Sequence, residues 1–150
     1  MRSPAGDAFS ALVVQVLRLG GLLTSVGDAL SKPAGQSSAR WQILAAADHA
    51  PATVAQIARA LGLARQSVQR VADLLAEEGL AEYRDNPEHL RAKLLHLTPR
   101  GRAALAQIQQ AQRGWADELG ADVGEADLRK ASAVLTRVLE AVAHREPGPE

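Results

Sequence analysis

Between Thr53 and Arg102 the chain carries two short amphipathic stretches separated by only Gly62, Leu63 and Ala64. Thr53 and Gln56 stand at the spacing of a capping box, in which the hydroxyl accepts from the first turn's backbone and the glutamine reaches back. A helix is therefore expected to start there. Ala55, Ile57, Ala58 and Leu61 supply its apolar side, and Gly62 sits where a glycine with positive φ ends a helix. In the second stretch Val68, Val71, Ala72 and Leu75 follow i, i+3, i+4, i+7 spacing and are expected to face a core. Two helices joined by so short a Gly-containing turn make a helix-turn-helix.

The opposite side of the second helix gathers Gln66, Gln69, Arg70 and Asp73. Its first turns present Arg65, Gln66, Ser67, Gln69 and Arg70, a set suited to a major groove. Arginine bonds guanine bidentately, glutamine does the same with adenine, and serine serves base edges or phosphate. Asp73, Glu77 and Glu78 would repel phosphate, so only the N-terminal half is expected to enter the groove, as recognition helices do.

Gly79 then closes the helix, with Leu80 as the accompanying hydrophobic contact. Beyond it the hydrophobic period changes from 3.6 to 2. Ala81 and Tyr83 alternate with Glu82 and Arg84, and Lys93, Leu95 and Leu97 alternate with Leu94, His96 and Thr98. Two short strands are implied. Asp85, Asn86 and Pro87 break the first, and the polar run to Arg91 forms a projecting tip. Thr98-Pro99 then caps a new helix, with proline at its first position.

At this point the chain resembles the MarR (multiple antibiotic resistance regulator) family of winged-helix transcription factors. The resemblance rests on LGLARQSVQRVADLLAEEGL followed by YRDNPEHLRAKLLHLTPRGR, and it extends to the number and length of the flanking helices. It implies a mainly α fold: a winged helix-turn-helix with a two-stranded β wing, flanked by N- and C-terminal dimerisation helices. Two positions depart from the family pattern. Ala64 stands where Ser or Thr usually precedes the recognition helix, forgoing a cap worth about 1 kcal/mol. Glu88-His89-Leu90 occupies the acidic-x-Arg stretch of the wing, so leucine replaces the minor-groove arginine. Arg91 is the best remaining candidate for that contact, with Arg84 and His89 as others. Arg84, Lys93, Arg100 and Arg102 lie near enough to the wing to meet phosphate.

A chain of 150 residues corresponds to one domain. The reading divides it into a DNA-binding lobe at 38–102, dimerisation helices at 7–31 and 103–145, and a disordered tail at 146–150. Residues 7–31 form a long apolar helix in which Phe9, Leu12, Val13, Val16, Leu19, Leu23, Val26 and Leu30 make one stripe while Val14, Leu17 and Leu22 add others. A helix apolar over most of its circumference must be covered on more than one side. Gln15 and Arg18 interrupt the run, so it reads as neither a signal peptide nor a membrane span, and the protein is expected in the cytoplasm. Lys32 to Ser38 is a linker by composition. Residues 39–49 form a short helix with Trp41, Leu44 and Ala45 or Asp48 on one side. A further helix runs from Pro99 to about Leu119, broken by Gly120 to Gly124, and a last one from Glu125 to about His144.

The terminal helices carry more apolar surface than a lobe of this size can cover, and a symmetry mate is the simplest partner. A homodimer would set two recognition helices about 34 Å apart, matching a near-palindromic duplex operator.

Charges balance at 17 positive and 17 negative, so any basic footprint must be local. Absence of cysteine excludes disulfides, thiolate metal sites and thiol-based sensing. His49, His89, His96 and His144 are scattered without metal-ligand spacing, and neither nucleophile elbow nor phosphate loop is present. No enzyme and no cofactor are expected. The residues point to a sequence-specific, double-stranded DNA-binding transcriptional regulator. The family resemblance adds repression of nearby genes, released by a small aromatic effector. Trp41, Arg40, Gln15 and Arg18 are the candidates to line an effector cavity. The rival reading is a winged-helix module that binds protein without reading DNA, which the zero net charge and Leu90 favour and the Arg/Gln-rich helix opposes.

Overall fold

The structure, a computed structural model, describes residues 1–145. The predicted tail at 146–150 lies outside the described residues. The elements in order are α1 (Pro4–Ser31), a 3-10 turn (Lys32–Ala34), α2 (Ser38–His49), α3 (Val54–Leu61), α4 (Arg65–Glu77), β1 (Ala81–Arg84), β2 (Leu94–Leu97), α5 (Pro99–Val123) and α6 (Glu125–Ala143). Two compact units divide the chain, one from Met1 to Gln110 and one from Ala111 onward.

In the first unit the core is built by α2, α3, α4, the wing and the start of α5. Val68, Val71, Ala72 and Leu75 of α4 are all buried, the side that their spacing assigned inward. They pack with Ile43 and Leu44 of α2, Ile57 and Ala58 of α3, and Leu95 and Leu105. Each fully buried Leu, Ile or Val contributes about 1.5 to 3 kcal/mol relative to exposure. Gly62 ends α3 with φ 65° and Gly79 follows α4 with φ 77°. At both corners the residue after the glycine donates its N–H back over the turn: Leu63 to Ala58 O at 2.9 Å and Leu80 to Leu75 O at 2.9 Å.

The wing strands pair antiparallel with Ala81 opposite Leu97 and Tyr83 opposite Leu95. Alternation holds, since Leu95 and Leu97 are buried while Leu94 and His96 are half-buried. One pairing was not legible in the sequence. Leu95 N donates to Ala52 O at 2.8 Å, so the residues before α3 bridge to β2 and pin the wing to the helix pair.

Two helix bounds expected from the sequence are corrected, at α1 and α5. α1 begins at Pro4 rather than residue 7, because Ser3 accepts from Gly6 N and Pro4 takes the first helical position. On α2 the expected Trp41, Leu44 and Ala45 do face the core, joined by Ile43 and Ala47, whereas the alternative Asp48 is exposed. α5 runs through Gly120 to Val123 and ends only at Gly124, whose φ of 96° favours glycine. One glycine within a helix costs about 1 kcal/mol, which neighbouring turns absorb.

α1 is mostly uncovered in the single chain. Of its 28 residues only Gly27 and Ser31 are buried, and Leu17 and Leu22 are 70% and 64% exposed. By length and apolar composition alone, Pro4–Ala34 would pass for a membrane span. In the second unit α6 has no buried residue, with Leu135 and Val138 half-buried.

Candidate nucleic-acid interface

The inward side chains of α4 fix what its outward side presents. Arg65, Gln66, Ser67 and Arg70 are exposed, and Gln69 is half-buried. Ala64 gives the helix no side-chain cap, as its methyl group dictates, so the first N–H groups of α4 remain open to an outside acceptor. Their partial positive charge favours an anion there.

Two of the three acids that would oppose a phosphate backbone, Asp73 and Glu78, are occupied, while Glu77 is exposed with no side-chain partner among the described residues. Glu78 forms a two-pronged ion pair with Arg40 of α2, whose guanidinium holds the carboxyl below its usual range. Arg100 donates to Glu78 O at 3.0 Å and Thr98 Oγ1 to Gly79 O at 2.6 Å, so α5 grips the C-terminal end of α4. Asp73 accepts from the Tyr83 hydroxyl at 2.6 Å and from Gln69 Nε2 at 2.9 Å. Those bonds, the Tyr83 bond foremost, push its carboxyl down from the usual carboxylate value. Burial, and then the bond to Asp73, push the Tyr83 phenol up.

At the base of the wing, Arg65, Gln69, Tyr83, Arg91 and Lys93 surround a hollow of about 280 Å³ against Thr53 and Val54. The capping box anticipated for α3 is present there, with Gln56 N bonded to Thr53 Oγ1 and Thr53 N to Gln56 Oε1. Arg65, Gln66, Gln69, Arg70 and Asp73 line a shallower groove along α4. The structure thus brings Arg65, Gln69, Arg91 and Lys93 together, with Gln66 and Arg70 alongside. Among the described residues, Arg65, Arg70, Arg91 and Lys93 enter no ion pair.

Other sequence candidates stand differently. Ser67 is exposed on the first turn of α4 but borders neither concavity. Arg84 is paired with Glu82 on its own strand. Arg102 donates to Leu97 O at 2.9 Å and braces the junction between wing and α5, while Arg100 is spent on the end of α4. At the wing tip Asn86 folds the loop by accepting from Glu88 N, and Leu90 projects with 97% of its surface exposed.

For the effector candidates, Arg40 is engaged with Glu78 and Trp41 packs against the core, while Gln15 and Arg18 are exposed on α1. Among the described residues these four share no hydrogen bond, and no group of three or more His, Cys, Asp or Glu is placed to hold a metal ion. Tyr83 is the residue that sequence reasoning missed at the interface. Its alternation marked it as a strand residue, yet its hydroxyl reaches α4.

Comparison with known proteins agrees with this architecture. A sequence profile of the MarR family matches residues 35–92, the segment from the α1–α2 linker into the wing. The uncharacterised protein Rv2011c of Mycobacterium tuberculosis is 38% identical over 141 residues, spanning 94% of this chain and 99% of its own. A solved MarR family transcription regulator superposes with a TM-score of 0.80 at 26% identity, covering 93% of this chain and 95% of that one. The M. tuberculosis transcriptional regulator MosR, solved in complex with DNA, superposes with a TM-score of 0.71 at 26% identity, covering 87% of this chain and 96% of its own. The profile over the helix pair, a relative matched along almost its whole length and the shared winged-helix architecture together assign the chain to the MarR family of DNA-binding transcriptional regulators.

Proposed function

We propose that the protein is a homodimeric repressor that occludes a near-palindromic duplex operator and is released by a small aromatic effector. The observation that carries the DNA contact is the cluster of cations, Arg65, Arg70, Arg91 and Lys93, that enter no ion pair among the described residues and lie along the N-terminal half of α4, where the nearby acid Asp73 is already bonded to Tyr83 and Gln69. Arg65, Gln66, Ser67, Gln69 and Arg70 read or position on the major groove, and Arg91 and Lys93 reach the backbone beside it. Arg84 would have to leave Glu82 to join them. That MosR has been solved with DNA supports this reading.

Dimerisation is supported by the exposed apolar side chains of α1 and α6, which a second copy would cover, and such a dimer would set two recognition helices one helical turn apart. The DNA-binding lobe is then residues 38–102, with 7–31 and 103–145 as dimerisation segments, acting in the cytoplasm. An effector contesting Arg40 would loosen the hold of α2 on the end of α4. Release requires that it prefer the arrangement that does not fit DNA.

The test is operator affinity of Arg70→Ala. Loss of one bidentate base contact weakens binding by about 1 to 3 kcal/mol while the dimer stays folded. Unchanged affinity would remove Arg70 from the interface.

A further inference from the structure

The Gln69, Asp73 and Tyr83 triangle does more than neutralise an acid. The Tyr83 hydroxyl has one proton, and at 2.6 Å it goes to the Asp73 carboxylate, which can only accept. Both oxygens therefore face Gln69 with lone pairs. They lie 2.9 and 3.1 Å from its Nε2. If the amide turned over, Oε1 would meet two acceptors with no proton between them, so the orientation of this side chain is set by its neighbours. Because the two acceptors are only 2.6 Å apart, one N–H serves both. Oε1 and the second N–H remain for an outside partner on the groove side of α4, where Gln69 borders both concavities.

We propose that Tyr83 and Asp73 are positioning residues that hold Gln69 in one amide orientation, so that its free edge selects adenine at one base pair of each operator half-site. An adenine offers N7 as acceptor and N6–H as donor, the complement of an N–H beside a carbonyl oxygen. A freely turning glutamine would present either order of donor and acceptor and would also pay rotamer entropy on binding. The proposal rests on the DNA-reading assignment of α4. It adds that a wing strand, through Tyr83, sets base specificity at a position the wing does not itself reach.

The experiment compares wild type with Gln69→Ala, Tyr83→Phe and Asp73→Leu by competitive binding to the selected operator and to its full set of single base-pair variants. In wild type, one A·T position per half-site discriminates at least tenfold, and Gln69→Ala abolishes that discrimination. Tyr83→Phe and Asp73→Leu then each reduce it severalfold at that position alone, leaving the other positions as in wild type. If Gln69→Ala removes the discrimination but both positioning variants keep it in full, the proposal is overturned while the DNA reading stands. If Gln69→Ala changes no position, Gln69 is not a reader and the proposal also fails. If wild type prefers no sequence, the underlying assignment falls and takes the proposal with it. A folding defect in either variant would show as uniform loss across all positions rather than at one, and the second variant then decides.

Discussion

Replacing Gly101 by alanine tests how the wing is fastened to α5. A Cβ at Gly101 would lie 2.9 Å from the carbonyl carbon of Leu80 and closer still to its oxygen. The obstacle is backbone, so no side chain can swing aside, and α5 must retreat on the order of 1 Å to reach ordinary contact. That retreat breaks the bonds that bind the two segments: Thr98 N to Leu80 O at 3.1 Å and Thr98 Oγ1 to Gly79 O at 2.6 Å. Each is worth about 1 kcal/mol net, and forced overpacking adds about 1 to 3 kcal/mol. Alanine returns about 1 kcal/mol of helix propensity. The expected loss is therefore about 2 to 4 kcal/mol, a large share of the stability of a small domain. Gly114, also within α5, has nothing within 4 Å of a built Cβ, so Gly114→Ala should gain up to about 1 kcal/mol. Urea unfolding followed by far-ultraviolet circular dichroism, at matched protomer concentration, compares the two. A Gly101→Ala protein as stable as wild type would refute the reasoning.

Arg91→Ala should lower the slope of log affinity against log salt by about one unit if Arg91 neutralises one phosphate, and an identical slope would exclude that role. The chain has a single tyrosine, so phenolate absorbance reports Tyr83 alone. Its raised pKa predicts a midpoint above the ordinary value of about 10, moving back toward it in Asp73→Asn; an ordinary midpoint in wild type would contradict the triangle. By linkage the folded state keeps its phenol when the unfolded chain begins to lose its own, so this contribution to stability is intact below pH of about 10 and lost as pH rises through the folded pKa. Leu17→Glu together with Leu22→Glu changes side chains exposed in the single chain and should yield a folded monomer in sedimentation. Persistence of a dimer would place the dimer contact elsewhere.

What the sequence made legible follows from range. The helix pair was readable because its signals are local: a capping box four residues long, glycines at two corners, and one apolar face per helix. The wing was readable from its change of period. Where partners are distant in sequence, no such signal exists. Nothing in Ala52 announces a bridge to Leu95, and nothing in Gly101 tells that Leu80 lies against it. Gly120 misled because glycine weakens a helix without ending it, whereas Gly124 ends α5 through its positive φ. The start of α1 was available in Ser3-Pro4, the same cap logic that located α5 at Thr98-Pro99. At the interface, the exposed side of α4 followed from its buried side. Asp73 was expected only to repel phosphate, because its partner Tyr83 comes from a strand ten residues on, whose approach to α4 depends on the wing folding back.

The central claim, that the open face of α4 reads duplex DNA in two copies, is tested most directly by selecting the purified protein against a random duplex pool at physiological salt and sequencing what is retained. The account predicts a near-palindrome whose half-sites lie one helical turn apart. Retention without an enriched motif, weak and lost as salt rises, would contradict it and leave the winged helix as a surface for protein partners.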